Sequence, residues 1–358
     1  MSRETNSTST LLQRAASGGR LERDEALRLW NETSLHELGR AAHRVRMRRH
    51  PEETVSYVVD RNINYSNVCV CGCRFCAFFR PPGDPEGFVI SREDLYQKIR
   101  EAVDLGATQI LMQGSHHPDL DLAFYLDLLR GIKERFPEIH LHAFSPPEIV
   151  HFRHMFDLSV GEILSRLIEA GLDSIPGGGA EILVDRVREE IAPNKCSAEE
   201  WLDVMRTAHQ LGLKTTATMM FGHVEEVADR LEHLLALRRL QDETGGFTAF
   251  IPWTFQPDNT RITARKTTST EYLRTLALSR LVLDNIPNLQ ASWVTMGAKI
   301  AQLSLFFGAN DFGSTMIEEN VVAASGVRFR MSQEEIDKHI REAGFAPRKR
   351  RMDYTLLE

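Results

Sequence analysis

From about residue 55 onward the sequence alternates short apolar, β-branched stretches with longer segments of helical periodicity. That alternation restricts the fold more than any other feature. Strand candidates lie at 55–63, 108–113, 139–143, 172–175, 214–220, 247–251 and 289–294. Between them, Leu95, Ile99 and Val103 recur at i, i+4 and i+8 within 92–105. Val227, Leu231, Leu234 and Leu235 do the same within 225–243. Strands separated by helices pair in parallel through right-handed crossovers. This many units predicts an α/β fold, a TIM-type (β/α) barrel that is complete or partial, rather than an open doubly wound sheet. Residues 1–20 are rich in Ser and Thr and are expected to be frayed; 21–50 read as two short helices forming an N-terminal cap. The barrel is assigned to 51–345. A basic tail, 346–358, carries Arg348, Lys349, Arg350 and Arg351, read as a solvated charge run.

Composition serves mainly to exclude. The 358 residues are 42% apolar and 26% charged, too apolar for a disordered chain. Forty-three basic against fifty acidic side chains leave a net charge of −7, which argues against nonspecific nucleic-acid binding. No apolar run approaches the length of a membrane span. The N-terminus lacks the basic start and apolar stretch of a secretory signal. A soluble, cytoplasmic protein is expected.

Four of the five cysteines, Cys69, Cys71, Cys73 and Cys76, fall within eight residues just after the first strand candidate; Cys196 stands apart. A disulfide framework spreads its cysteines and needs an oxidising compartment. Bridges between such near neighbours would close loops too short to stabilise much. Clustered thiols in a cytoplasmic protein read instead as metal or cluster ligands, or as a redox pair. Cys69, Cys73 and Cys76 form C-x3-C-x2-C, three thiolates able to hold three irons of a [4Fe–4S] cube and leave the fourth iron open. Cys71 is superfluous to that pattern and is expected to face away from it. Were all four to bind one metal, the site would be closed, as in structural zinc or an electron-transfer cluster. Four ligands in eight residues leave little tetrahedral room for that. Cys196 reads as a small buried residue.

In a barrel, chemistry sits on the loops after the strands. Gly114-Ser115 leaves the second strand, where a positive φ at Ser115 would be costly. His116 and His117 follow as a loop polar pair, since adjacent side chains point apart. Ser145 and Glu148 end the third strand, either as turn and dipole partners or as binding groups. Gly177-Gly178-Gly179 lets a backbone approach closely, and Glu181 opens the next helix with Arg186 and Arg188 behind it. Gly222, His223 and Glu225 end the fifth strand; His223 is a loop residue or a substrate contact. Ile251 and its apolar neighbours wall the sixth. Asn310 and Asp311 lie in a polar, glycine-bearing stretch near the last strand.

The cysteine stretch, with Phe75 directly before its third cysteine, resembles the signature of the radical S-adenosylmethionine (SAM) superfamily. From about residue 30 to 345 the segments AFSPPEI, GLDSIPGGGAEIL, LQDETGGFTAFIPW and LDNIPN resemble the two radical SAM enzyme families of the futalosine route to menaquinone. TTATMMFGHVE, FIPWTFQPDNT, QASWVTMGAK and FFGANDFGSTMIEENVV side with the cyclic dehypoxanthine futalosine synthases rather than the aminofutalosine synthases. The resemblance implies a [4Fe–4S] cluster on Cys69, Cys73 and Cys76, with SAM held by Phe75, Phe78, Gly114, Ser115, Ser145, Glu181 and Ile251. One electron, from a donor such as ferredoxin or flavodoxin, would release a 5′-deoxyadenosyl radical. That radical would take the C4′ hydrogen of dehypoxanthine futalosine, and the carbon radical would add to the benzoate ring. Loss of an electron and a proton would then restore a closed shell. Arg186, His223 and Asn310 are the candidates to bind substrate; His223, Glu148 and Asp311 are those to take the proton. Three alternatives stay open: the aminofutalosine synthase reaction, another SAM-cleaving enzyme of biotin-synthase type, and a non-enzymatic four-cysteine metal or electron-transfer module. No nucleic-acid or membrane partner is expected.

Overall fold

The computed structural model describes residues 7–327 and 329–357. Seven parallel strands make the main sheet: β2 (Asp60–Asn64), β3 (Gln109–Gln113), β4 (His140–Ala143), β5 (Ser174–Ile175), β6 (Lys214–Phe221), β7 (Phe247–Thr254) and β8 (Asn288–Leu289), paired in that order. This is a partial barrel. A second sheet, in the order β10 (Ala346–Lys349), β1 (Thr54–Val58), β9 (Asp311–Ser314), stands beside its edges. β1 runs on into β2 with one residue between them. On its other side β9 meets the β8 edge, where Asn310 N–H donates to Leu289 C=O and Ala291 N–H to Asp311 C=O. The gap in the seven-stranded sheet is thus spanned by β9. No helix among the described residues is long and apolar enough to cross a membrane.

The helices follow their sequence signals with one instructive exception. Arg92–Asp104 starts at Ser91, whose hydroxyl accepts from Asp94 N–H, and buries Leu95 and Ile99. Val103, the expected third member of the stripe, is exposed, and Ala102 is buried in its place. Eight residues advance a helix by about 80° beyond whole turns, enough to leave the buried face. Val227–Thr244 is buried nearly all round, Arg230, His233 and Arg238 included. It lies between the barrel and the N-terminal helices.

Both termini depart from expectation. Residues 1–20 are not frayed throughout: Thr8–Ala16 is a helix capped by Ser7, and Arg20 pairs with Asp242 and Asp284; residues 1–6 lie outside the described residues. The helices Arg23–Glu32 and Leu35–Arg49 do not cap the barrel mouth. They pack on Val227–Thr244 and Ser269–Val282, outside the sheet. In the C-terminal run Arg348 and Arg351 are exposed as expected, but Arg350 is not. Ala346–Lys349 pairs in register with Thr54–Tyr57, and the next residue, Arg350, turns inward. Its guanidinium grips Asp311 at 2.5 and 3.0 Å, with both side chains almost fully buried, and lies over the Tyr354 ring. The reversal is a tertiary effect: Arg350 lies just past the strand and leaves the exposed face of Ala346 and Arg348 to reach Asp311. We predict that Arg350→Met costs about 3–5 kcal/mol, because Asp311 is left as an uncompensated buried charge. Urea denaturation measures it; a loss below about 1 kcal/mol would instead mark the pair as a solvated one.

Candidate active site

Residues 65–80 leave the C-terminal end of β2 as a loop held at both flanks. Cys69 N–H donates to Arg80 C=O and Arg80 N–H to Asn67 C=O, both at 2.8 Å. Val70 N–H donates to His116 C=O and Arg74 N–H to Ile191 C=O, and the Arg261 side chain donates to the carbonyls of Gly72 and Cys73. All the cysteines are free thiols; Cys69 and Cys76 are partly exposed, Cys71 and Cys73 buried. Cys71 does not face away: its Sγ lies 3.4 Å from Cys73 Sγ. A hydrogen bond from the Cys71 thiol, helped by the charge of Lys195, draws Cys73 down to about 7. Burial pushes Cys76 up to about 11 and raises Cys69 as well. Among the described residues no three His, Cys, Asp or Glu side chains converge on a point that would hold a single metal ion. Three thiols on one short loop fit the donor chemistry of an iron–sulfur cluster.

The turn after β3 is built around a buried carboxylate. Glu148 accepts from Tyr65 Oη at 2.6 Å, Ser145 Oγ at 2.6 Å and Gly114 N–H at 3.1 Å. Burial raises its pKa against these three donors. Gly114 is required there, because a Cβ would collide with the Tyr65 ring. Ser115 avoids positive φ and donates its hydroxyl to Val68 C=O at 2.5 Å, tying the turn to the cysteine loop. His116 stacks on His151 with ring centroids 4.8 Å apart. His117 accepts from Asp119 N–H.

Opposite lies a pair that sequence reasoning half missed. Glu181, held at positive φ, is buried and bonds Lys195 at 2.7 Å. Burial disfavours the Lys195 charge, but Glu181 outweighs it and keeps the ammonium. The Lys195 Nζ also sits 5.1 Å over the Phe75 ring. Nothing local in Asn194-Lys195-Cys196 announces this; only the tertiary fold brings a cation beside the thiols. Phe78 packs edge-on against Phe88, 6.3 Å between centroids. The glycine run serves the sheet as well as the mouth. A Cβ on Gly177 would press on the β6 backbone at Thr216 and Thr218, whereas Gly178 faces the lumen.

Inside the barrel is a cavity of about 260 Å³. Gln113 and Gly178 stand at its mouth, beside Gly114; Arg350, Met352 and Tyr354 from the C-terminal segment close its floor. Leu111, Ile251 and Trp253 supply apolar wall. Asp60, Asn62, Gln109 and His142 supply polar wall. His142 Nδ1 lies 2.6 Å from Ser174 Oγ, and burial holds its pKa well below the ordinary histidine value. Asp60 and Asn62 could have been found in the sequence, because Asp60, Asn62 and Asn64 recur at period two along the first strand. A barrel strand with polar residues at that period points them inward.

Of the expected substrate and proton-transfer residues, none lines the cavity. His223 has a fully buried side chain with both nitrogens engaged: Nδ1 accepts from Val224 N–H at 2.8 Å and Nε2 lies 3.1 Å from Met220 C=O. Asn310 bonds Arg280, Leu289 N–H and Asn288, which uses its amide at both ends. Asp311 is consumed by Arg350, Ser56 and Gly313 N–H. Arg186 lies on the outside and pairs with Asp229 at 2.5 Å. Glu148 holds the turn rather than facing the lumen. Apart from the exposed Arg186, each is a polar residue whose hydrogen-bonding capacity the fold itself takes up.

Comparison with known proteins agrees with this arrangement. A family model described as the Radical SAM superfamily matches residues 63–237, and one described as the CofH/MqnC C-terminal region matches 244–358. The cyclic dehypoxanthine futalosine synthase of Halalkalibacterium halodurans is 47% identical, covering 97% of this chain and 94% of that one. Its namesake from Streptomyces coelicolor is 45% identical, covering 97% and 88%. The aminodeoxyfutalosine synthase of Thermus thermophilus is 41% identical over 95% and 93%. Among solved structures, the FeFe-hydrogenase maturase HydG from Carboxydothermus hydrogenoformans superposes with a TM-score of 0.77 at 17% identity, covering 97% of this chain and 80% of that one. At that identity it speaks for the fold alone.

Proposed function

The chain belongs to the radical SAM superfamily, in its CofH/MqnC branch, and from this we infer that it cyclises dehypoxanthine futalosine in the futalosine route to menaquinone. The observation that carries this reading is 47% identity to a synthase of that reaction across nearly the whole of both chains. Greater distance from the aminodeoxyfutalosine synthase favours it over the sister reaction.

Cys69, Cys73 and Cys76 would hold a [4Fe–4S] cluster. The donor chemistry fits, with three free thiols on one pinned loop and a buried ammonium beside them. When bound, the cluster and SAM supply a 5′-deoxyadenosyl radical on one-electron reduction. The chain's own work is placement. Glu148 fixes the Gly114-Ser115 turn, and Glu181 with Lys195 offers both charges to a zwitterionic amino acid group. The apolar wall of Leu111, Ile251 and Trp253 receives the aromatic ring, and the closed floor keeps water from the radical. His142, on the lumen wall, is the group assigned to relay the proton released when aromaticity returns, and the electron lost with it would pass back to the oxidised cluster. Val70 is exposed beside the partly exposed Cys69. That leaves the loop within reach of a cytoplasmic electron donor such as ferredoxin or flavodoxin.

Anaerobically reconstituted protein, reduced with dithionite and given SAM and dehypoxanthine futalosine, tests the reading by mass spectrometry. The expected result is 5′-deoxyadenosine together with a product two hydrogens lighter than the substrate. Deoxyadenosine without that product would move the chain to the sister reaction. Neither species from a verified four-iron protein would overturn the enzyme assignment.

A further inference from the structure

Two buried acceptor atoms on the lumen wall lack any partner: Gln109 Oε1 and Asn62 Oδ1. Both residues are at least nine-tenths buried, on adjacent strands. The orientation of Gln109 is set by its neighbour. The Asp60 carboxylate accepts from Gln109 Nε2 at 2.7 Å and from the Ser314 hydroxyl. A carboxylate can only accept while ionised, so the amide nitrogen must face Asp60 and the carbonyl oxygen must be the free end. Asn62, two residues along the same strand face from Asp60, makes no side-chain hydrogen bond of its own among the described residues. Folding does not leave such atoms dry without reason; each costs free energy until something donates to it.

We propose that Asp60, Asn62 and Gln109 form a hydroxyl-binding wall that takes the ribose hydroxyls of the substrate and so sets which end of it lies deep in the lumen. This rests on the substrate reading above. The wall offers the acceptors Gln109 Oε1 and Asn62 Oδ1 together with the Asn62 amide donor, a set suited to hydroxyls, which both donate and accept. A carboxylate there would meet the Asp60 carboxyl group and the free Gln109 oxygen, and is disfavoured. The benzoate carboxylate is therefore directed away from these three side chains. Asn62 and Gln109 act as specificity-determining residues, since a site built to bond hydroxyls rejects analogues that lack them.

Asn62→Leu tests the proposal with little risk to folding, because it removes an unpartnered polar side chain, keeps its branched shape and has the lumen to take the added volume. The melting temperature should hold or rise. KM for dehypoxanthine futalosine should rise about tenfold, the scale of one lost hydrogen bond. Analogues lacking the C2′ or the C3′ hydroxyl add the decisive arm. For one of them, the penalty seen with the unmodified enzyme should vanish in the variant, as a double-mutant cycle requires of interacting groups. An unchanged KM in Asn62→Leu, or full penalties for both analogues in the variant, would overturn the proposal. A lowered melting temperature with unchanged KM would assign Asn62 to structure and overturn it too. An unmodified enzyme that cleaves SAM but leaves dehypoxanthine futalosine untouched would sink the substrate reading and this wall's ligand with it, and that control alone identifies the case.

Discussion

Replacing Cys69, Cys73 or Cys76 singly by alanine is expected to abolish both iron retention and 5′-deoxyadenosine formation, while Cys71→Ala keeps about four irons per chain and still cleaves SAM. The loss in the first three should exceed the roughly 10- to 100-fold that outer hydrogen-bond partners of a metal site are worth. The contrast is informative because the fold brings Cys71 against Cys73, with sulfurs 3.4 Å apart. Proximity alone would make Cys71 a fourth ligand. The spacing argues otherwise: C-x3-C-x2-C is complete without it, and a fourth thiolate would close the site to SAM. Cys71 then serves as a hydrogen-bond donor to its neighbour, and its removal should shift the cluster's potential without emptying the site. Iron and sulfide analysis after anaerobic reconstitution, followed by a deoxyadenosine assay, checks all four variants. Loss of iron from Cys71→Ala would revive the closed four-cysteine reading.

Stability is expected to fall steeply as pH drops below about 6.5. Burial lowers His209 to about 4 and His233 to about 3, and takes His142 well below its ordinary value. His209 bonds Thr244 and Thr215 through its two nitrogens, and His233 Nδ1 accepts from Leu183 N–H in the core. In the unfolded chain all three titrate near 6.5. Between that value and the folded pKa the unfolded state binds the extra protons, so acid favours unfolding. Stability from these groups is therefore full above about pH 7. It declines by about 1.4 kcal/mol per pH unit for each histidine until the folded pKa is reached. Urea midpoints measured from pH 7.5 to 5 at constant ionic strength should show that slope. In His233→Gln the slope should be shallower by one histidine's share, although the variant starts from lower stability. A flat profile would mean these imidazoles are solvated and take up protons in the folded state.

Much of the architecture was legible in the sequence, for a local reason. Period-two and period-3.6 patterns are written within single elements, and the strands near 109–113, 140–143 and 214–221 fall where their apolar runs do. The elements missed, β9 and β10, are short and polar. Asp311–Ser314 and Ala346–Lys349 become strands because β1 offers both its edges, not because their own residues prefer to extend. Likewise 289–294 is strand only at its start, and the stretch from Trp293 to Met296 turns helical. The cysteine loop could be read in full because its three thiols lie within eight residues.

The rest of the site could not be read this way. Sequence alone determined that the chain is an α/β barrel protein, where its thiols sit, and which superfamily chemistry they resemble. Only the tertiary structure decided which polar residues are free to act. His223, Asn310 and Asp311 had the right chemical types at the right end of the chain's logic, yet backbone groups, Arg280 and Arg350 use up their donors and acceptors. Asp60, Asn62, Gln109 and Lys195 looked ordinary in sequence and became the groups that face the lumen or the thiols. The physical reason is that a side chain's role depends on what remains unsatisfied after folding. That remainder is a property of long-range neighbours, which no local pattern records.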